Sequence, residues 1–579
     1  MATFKSIFKS FVLFKEPKKA ETYILKETEN EGVKNESIDN EKPRKNEALL
    51  LDKDKDKEKK NEGEDTEKSD ISKKLSENLE YIKKRFSVPI NGDVVIREFD
   101  IIIKDKAVPA FLFFYDGLVD RKVVNDDVLQ PLMLLSNLDI KGNEKDIASF
   151  VKDHLIPHNQ LKVEKQMEKV IDMVNFGGCG LFVDGCDVAF SLDVKGWEHR
   201  GVERPNTELV IRGPQEGFNE ISRVNTALIR KRLKDEDLIV QDIEIGRRSK
   251  TPTSLLYIKD IANDSLVREV RRRLKSLKVD YISDTGELEQ LIEDSTFLPA
   301  PQMLATERPD RVATLLTEGK VAVVMNGSPF VLVMPVTSHE LVYSAEDEYV
   351  RFPYSNLLRF IRIMGVLLSL LLPGLYVAIT TFHHEMIPTS LLLAVVSARE
   401  KVPFPSVVEI LVMELSFELI REAGIRIPGP IGPTLGIIGA LILGQAAVAA
   451  SIISPILIII VAVTGLGSFA MPDFALGYAF RLLRFGYILL GAAAGFLGIA
   501  TGIFIQGIWF ASAKSFGVPY MTPLGPKTTT KWYNEIFKAP IWQQEKRPDY
   551  LNTKAQKKQP NISRRWTIQK DGEGDENEE

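Results

Sequence analysis

The sequence predicts an α/β soluble region of two subdomains followed by an α-helical multi-pass membrane domain, and three observations carry that prediction. Between Ile363 and Phe510 several long apolar runs follow one another, and a hydrocarbon slab needs roughly 20 predominantly apolar residues for each helical crossing. Before them, from Ser76 to about Glu346, strand-like and helix-like apolar patterns alternate. At the start, the tract DKDKDKEKKNEGEDTEKSD mixes both charges with too little apolar surface to offset the entropy lost on ordering. The expected division is a disordered charged arm over 1–75, α/β subdomains over 76–200 and 201–350, the membrane domain over 351–520 and a mobile polar tail over 521–579.

In the first subdomain Ala107–Tyr115 is a strand ending in the turn pair Asp116-Gly117. Ile147, Phe150, Val151, His154 and Leu155 recur at helical spacing, as do Met167, Val170, Ile171 and Val174. Leu181–Val194 forms a hairpin about Asp184-Gly185, a pair that tolerates the positive φ of a tight turn. The second subdomain opens with an amphipathic helix through Phe218, Ile221, Ala227, Leu228 and Leu233, whose outer face is basic (Arg223, Arg230, Lys231, Arg232). Strands follow at Leu238–Ile245 and Leu255–Ile258, helices at Asp264–Leu277, Glu287–Glu293 and Pro309–Glu318, and a hairpin at Val321–Val333 turning on Asn326-Gly327.

Composition excludes several function classes. With 27% charged residues and a net charge of −5, the basic residues are dispersed among acids, and no continuous basic stripe invites nucleic acid. Two cysteines, Cys179 and Cys186, cannot build a disulfide framework and lack the spacing of a zinc CxxC, which suits a reducing cytoplasmic face. Lysines interrupt the apolar residues of the first twenty positions, so no signal-peptide core is expected there. The FGGCG at Phe176–Gly180 lacks the GxxxxGK[ST] pattern of a phosphate loop and precedes a hairpin. His154 and His158 have Pro157 between them and no evident third ligand for zinc. Glycines in Arg212–Phe218, beside a helix start, leave backbone N–H groups for an anion or a partner carboxylate, or else shape the turn joining the subdomains. No catalytic motif, cofactor site or metal site is expected.

The apolar runs are Ile363–Phe382, Leu435–Ala450, Ile452–Met471 and Phe485–Phe510. The outlier among them is Pro388–Gly424, where Arg399, Glu400, Glu409, Glu414, Glu418, Arg421 and Glu422 interrupt the apolar residues. Glu414, Glu418 and Glu422 follow at i, i+4 spacing and share one side of a helix, a side that cannot lie against lipid. Two readings stand: an interfacial helix with its charges in water, set off by Pro403 and Pro405, or an acidic lining of an ion pathway. On the second reading Glu409, Glu414 and Glu418 are candidates for ion conduction or gating, joined by Gln445, Thr464 and Ser468 from the most apolar runs. The pairs Gly491/Gly495, Gly498/Gly502 and Gly432/Gly436 allow close helix approach, within one bundle or between copies. Arg351, Arg359, Arg362, Arg481 and Arg484 flank the first and last runs and place those ends in the cytoplasm; four spans return the tail to that side, five leave it outside.

Several segments in order, GLVDRKVVNDDVLQPL, ERPNTELVIRGPQEGFNE with TALIRKRLKD, TERPD, NGSPFVLVMP, REKVPFPSVVEILVMELSFELIREAG, GALILGQAAV and AFRLLRF, closely resemble the A subunit of the GerA-type germinant receptors of endospore-forming bacteria. The resemblance runs from about Ser76 to Pro526, and the long charged arm is similar to that of the KA-type subunits. It implies a multi-pass protein of the spore inner membrane, its N-terminal domain facing the spore core. It further implies a permease-like nutrient-binding B subunit and a lipoprotein C subunit as partners, and self-association, as a pentamer, into a ligand-gated channel whose opening releases cations. The alternatives are a secondary transporter of the nutrient, a membrane-tethered enzyme acting through the soluble region, and a scaffold that recruits the other subunits without conducting.

Overall fold

The structure, a computed structural model, describes Leu25 and residues 70–559 apart from 104–105, 136–146, 158–160, 197–203, 206, 426–438, 440–441, 527 and 529–536. The charged arm before residue 70, His158, Gly432, Gly436 and the tail beyond residue 559 therefore lie outside the described residues, Leu25 excepted. The chain forms two compact units, one of residues 27–199 with 233–241, the other of residues 1–26, 200–232 and 242–579.

In the first unit the helix α1 (Leu75–Arg85) precedes the strands β1 (Val94–Ile103) and β2 (Lys106–Tyr115); β3 (Leu161–Glu164), the helix α2 (Met167–Asn175), β4 (Cys179–Val183) and β5 (Ala189–Leu192) follow. The sheet order is β1-β2-β4-β5-β3, with every pair antiparallel. From Ala110 to Tyr115 successive residues of β2, whose side chains point to opposite faces, are all buried, so this part of the strand is covered on both sides. Phe113 and Tyr115 meet Phe86, while Ala110, Leu112 and Phe114 join a core with Val124, Val128, Leu132 and Phe150. Strand β1 is absent from the sequence reading because Arg97, Glu98 and Asp100 break its apolar alternation.

The second unit contains the helix α3 (Ser222–Arg232), β7 (Thr251–Ile258), the helices α4 (Asp264–Ser276) and α5 (Thr285–Ile292), β8 (Leu304–Thr306), the helix α6 (Pro309–Thr317), β9 (Val321–Met325) and β10 (Val331–Met334). With β6 (Leu238–Ile245) these strands make a sheet of order β6-β7-β9-β10-β8. The two sheets thus repeat one plan: helix, hairpin, short strand, helix, hairpin, with the short strand added at the far edge. Gly185 and Gly327 occupy positive φ in the second hairpin of each, as the Asp-Gly and Asn-Gly pairs predict. The basic outer face expected of α3 is only partial. Arg230 is buried, whereas Lys231 and Arg232 reach Glu216.

The rest of this unit is helical: α7 (Phe352–Phe382), α8 (Thr389–Arg399), α9 (Ser406–Ile425), α10 (Pro455–Phe469) and α11 (Phe474–Ser512). Among the described residues, α7 and α11 are long and apolar enough to cross a membrane; α8 and α10 are apolar but shorter. Helix α11 is not one rod. Ala494 and Gly495 have non-helical dihedrals, and Tyr487 donates a 2.6 Å hydrogen bond to Gln506, nineteen residues on. A straight helix would separate those residues by about 28 Å. The chain folds back at Ala494-Gly495 into a hairpin, so the expected single run Phe485–Phe510 is divided between two antiparallel arms. Gly498 and Gly502 make room for it: a Cβ there would meet Leu490 and Tyr487 of the first arm.

Helix α9 runs antiparallel to α7, with Ser406 beside Thr380 at one end and Glu414 opposite Ser369 further along, both bonded to Arg484 in the second case. Gly374 backs onto Tyr487, Gly491 onto Gly374 and Gly467 onto Gly365, so these small residues serve packing within the bundle. After α11 the chain returns to the second sheet. Strands β11 (Lys514–Ser515) and β12 (Val518–Pro519) pair there, Ser515 donates to the Gln302 carbonyl at 2.6 Å, and Tyr520 to that of Pro301. Residues 537–559, expected within a mobile tail, are also packed. Leu551 is buried, Arg547 donates to the Thr317 carbonyl, and Lys554 pairs with Asp264.

Candidate functional site

Helix α9 carries its acids into the bundle, where arginines of α8, α11 and α9 itself meet them. Glu409, 2% exposed, accepts from the Ser454 backbone N–H at 3.1 Å and from Arg399 at 3.3 Å. One and a half turns on, Glu414 accepts from Arg484 of α11 at 2.6 Å, and the other guanidinium nitrogen of Arg484 donates to Ser369 of α7 at 2.7 Å. Another turn on, Glu418 accepts from Arg421 at 2.7 Å and from Arg481 at 3.1 Å, while Arg421 also donates to Ser468 of α10 at 3.0 Å. Along α9 the three rungs span about 14 Å. The interfacial reading, with these charges in water, does not describe Glu409 or Glu414.

The middle rung is the most enclosed: Glu414 is 1% and Arg484 2% exposed. A lone ion is expensive in such surroundings, and only a close, well-bonded partner offsets the desolvation. The pair is incompletely satisfied, since Glu414 Oε1 and Arg484 Nε have no partner among the described residues. Charge neutralisation therefore depends on a contact that ties α7, α9 and α11 to one another.

A second charged junction sits where α7 leaves the second sheet. Asp347, fully buried, accepts from Arg359 at 3.3 Å and Arg362 at 2.6 Å, and its carbonyl accepts from Lys538 at 2.6 Å. Burial pushes the Lys538 ammonium below its usual range. Arg359 lies over the Tyr343 ring, whose residue's carbonyl accepts from Arg311; Arg311 in turn pairs with Glu208 at 2.6 Å. Arg308, fully buried, donates to the carbonyls of Glu208 and Pro214 and to Asp310, which also accepts from Tyr349. Nearby, burial and the charges of Glu293 and Asp473 push the Glu289 carboxyl up to about 7.

Of the six residues singled out in the sequence, the ladder brings four together: Glu409, Glu414, Glu418 and Ser468. Thr464 is buried but donates to the Ile460 carbonyl of its own helix, and Gln445 is exposed. Glu422, aligned with Glu414 and Glu418 by spacing, is also exposed. The sequence reading missed the cationic half of the ladder. Arg481 and Arg484 read by position as flanks of the last run, although their three-residue spacing in AFRLLRF matches one helical turn of acids on a neighbour. Gly178 and Gly180 of FGGCG are packing positions, where a Cβ would meet Met173, Phe113 and Val170. Gly213 of the Arg212–Phe218 stretch, at φ +132°, lies against the Tyr349 ring, so the turn is shaped by packing. His383, past the end of α7, accepts at its Nε2 from the Phe496 N–H at 3.3 Å, at the fold of the α11 hairpin. Among the described residues no group of three or more His, Cys, Asp or Glu could hold a metal ion.

Comparison with known proteins places these features in one family. A family profile described as Bacillus/Clostridium GerA spore germination protein matches residues 80–550. Spore germination protein KA of Bacillus subtilis (strain 168) is 39% identical over 514 residues, covering 88% of this chain and 93% of that protein. The uncharacterized membrane protein YfkQ of the same organism is 37% identical over 486 residues, 84% of this chain and 92% of its own length. The crystal structure of the N-terminal domain of the A subunit of the Bacillus megaterium spore germinant receptor GerK3 aligns with a TM-score of 0.35 at 31% identity, covering 46% of this chain and 96% of that one. The family and the two membrane-capable helices point to a membrane protein. The chain belongs to the GerA family, the family of the A subunits of spore germinant receptors.

Proposed function

We propose that the chain is a multi-pass subunit of the spore inner membrane whose copies assemble, as a pentamer, into a nutrient-gated channel that releases cations and starts germination. Its α/β region faces the spore core, a permease-like B subunit binds the nutrient, and a lipoprotein C subunit completes the receptor. The family is one of receptor subunits not known as enzymes.

The observation that carries this reading is the ladder on α9. Paired, the charges of Glu409, Glu414 and Glu418 are neutralised between helices; separated, the same groups present charged rings to an aqueous path, the usual lining of a cation pore. Gating on this reading switches the ladder between paired and separated states of different polarity, and a ligand shifts their balance only by binding them unequally. The multi-pass arrangement is supported by the α11 hairpin and by α9 lying alongside α7. With Arg359, Arg362 and Arg484 engaged in ion pairs, the orientation rests on the α/β region and on the return of residues 514–526 to the second sheet.

The test is cation efflux from liposomes holding the receptor, with and without nutrient. Glu414→Gln and Glu418→Gln are expected to change basal or triggered efflux. Efflux and germination identical to the parent would remove the ladder from gating, and saturable nutrient uptake by this chain alone would favour a transporter.

A further inference from the structure

The stretch 207–213 is held with unusual firmness for a segment without regular structure. Its inward residues are Glu208, bonded to Arg311 and Thr306, and Val210, buried, whose carbonyl accepts from Gln215. Alternating with them, two aliphatic side chains point out: Leu209 is 65% and Ile211 94% exposed. Arg204 and Arg212, on either side, are exposed as well. A bonded backbone that presents aliphatic residues beside cations gains nothing in water, since apolar area left in solvent forfeits the free energy of its burial.

Its location names the occupant. Gly213 lies against the ring of Tyr349, three residues before α7 begins, and Glu208 is joined through Arg311 to Tyr343, which stacks on Arg359 of α7. Asp473, the N-cap of α11, lies within electrostatic reach of both Arg311 and Glu208. Both membrane-capable helices therefore begin beside this stretch, and their first turns expose Phe352, Tyr354, Phe474 and Tyr478, the aromatic residues favoured at a membrane surface. We propose that residues 207–212 form a lipid-contacting foot. Leu209 and Ile211 enter the headgroup–acyl boundary of the leaflet that α7 and α11 enter, and Arg204 and Arg212 face lipid phosphates. Aliphatic residues with adjacent cations are the composition that binds anionic interfaces. The proposal rests on the reading of α7 and α11 as membrane-crossing.

The experiment uses the full chain in vesicles of phosphatidylcholine and phosphatidylglycerol, with an NBD fluorophore on Ile211→Cys and, separately, on Leu367→Cys of the exposed α7 stripe. The native Cys179 and Cys186 are buried and will not compete for the label. Lipids carrying a doxyl quencher near the headgroup are expected to remove most of the emission at position 211, and lipids carrying it deep in the acyl chain most of that at position 367. If position 211 is unquenched while position 367 is quenched, the foot is wrong and the membrane reading stands. If neither is quenched, the membrane reading fails and the foot with it. A disulfide between two copies through Ile211→Cys, without quenching, overturns the proposal in favour of a second chain covering the loop.

Discussion

The Glu414 carboxylate and the Arg484 guanidinium, 70 residues apart in sequence, meet at 2.6 Å with both side chains excluded from solvent. Removing either partner strands the other charge in a poorly solvated place. Glu414→Ala or Arg484→Ala should each cost about 3–5 kcal/mol. The exchanged pair Glu414→Arg with Arg484→Glu should recover part of that loss. Thermal unfolding of the four detergent-solubilised proteins checks it; additive losses in the exchanged protein would show that the contact is not what couples the two positions.

The fold of the α11 hairpin is capped from outside. The Phe496 N–H that opens the second arm is satisfied by His383, whose ring also stacks on Phe496 with centroids 4.5 Å apart. His383→Ala should loosen the tip by roughly 1–2 kcal/mol, combining a lost cap with a lost ring contact. His383→Phe keeps the stacking alone and should lose about half as much. Hydrogen exchange at residues 494–498 is the measurement, and equal protection in all three proteins would dismiss the cap.

The Glu289 carboxyl predicts a pH dependence with a definite sign. Its ordinary value is 4.5 and burial with neighbouring acids raises it to about 7 in the folded chain, so the folded state holds a proton that the unfolded state has released between those values. The associated stability is complete below about 4.5 and is lost as pH rises through about 7. Glu289→Gln cannot ionise and should flatten the unfolding midpoint across pH 5 to 7.5, while the parent chain falls; parallel curves would contradict the assignment.

Two glycines of α7 and α11 differ in what they tolerate. A Cβ on Gly374 would come within 2.7 Å of the Tyr487 carbonyl oxygen, whereas one on Gly486 meets nothing within 4 Å. Gly374→Ala should force the helices apart at a cost of about 1–3 kcal/mol. Gly486→Ala should be neutral, or stabilising by up to about 1 kcal/mol through helix propensity. Melting temperatures of the two variants, measured side by side, decide it.

Local chemistry made much of this fold legible. A continuous apolar run ending at Asp116-Gly117 marked β2, the Asp-Gly and Asn-Gly pairs marked both second hairpins, and Pro309 at a first helical turn marked α6. What the sequence concealed depends on distant partners. Nothing near Glu414 names Arg484 as its counterion, so the acids could be found and their pairing could not. The charged strand β1 was invisible because its exposed residues break the apolar pattern, and the hairpin in α11 because Ala494 and Gly495 are ordinary helix and packing residues in composition. The duplicated sheet plan also escaped notice, since strand order is set by pairing across the chain and leaves no fixed period.

Both ends of the folded-back α11 lie beside the second sheet: Asp473, which caps its first arm, is within electrostatic reach of Arg311, and Ser515, just past its second, is bonded to Gln302. An element whose two ends sit together on one side behaves as a tongue. A displacement of the segments that carry both ends would reach its tip at Ala494-Gly495, where His383 accepts from the Phe496 N–H.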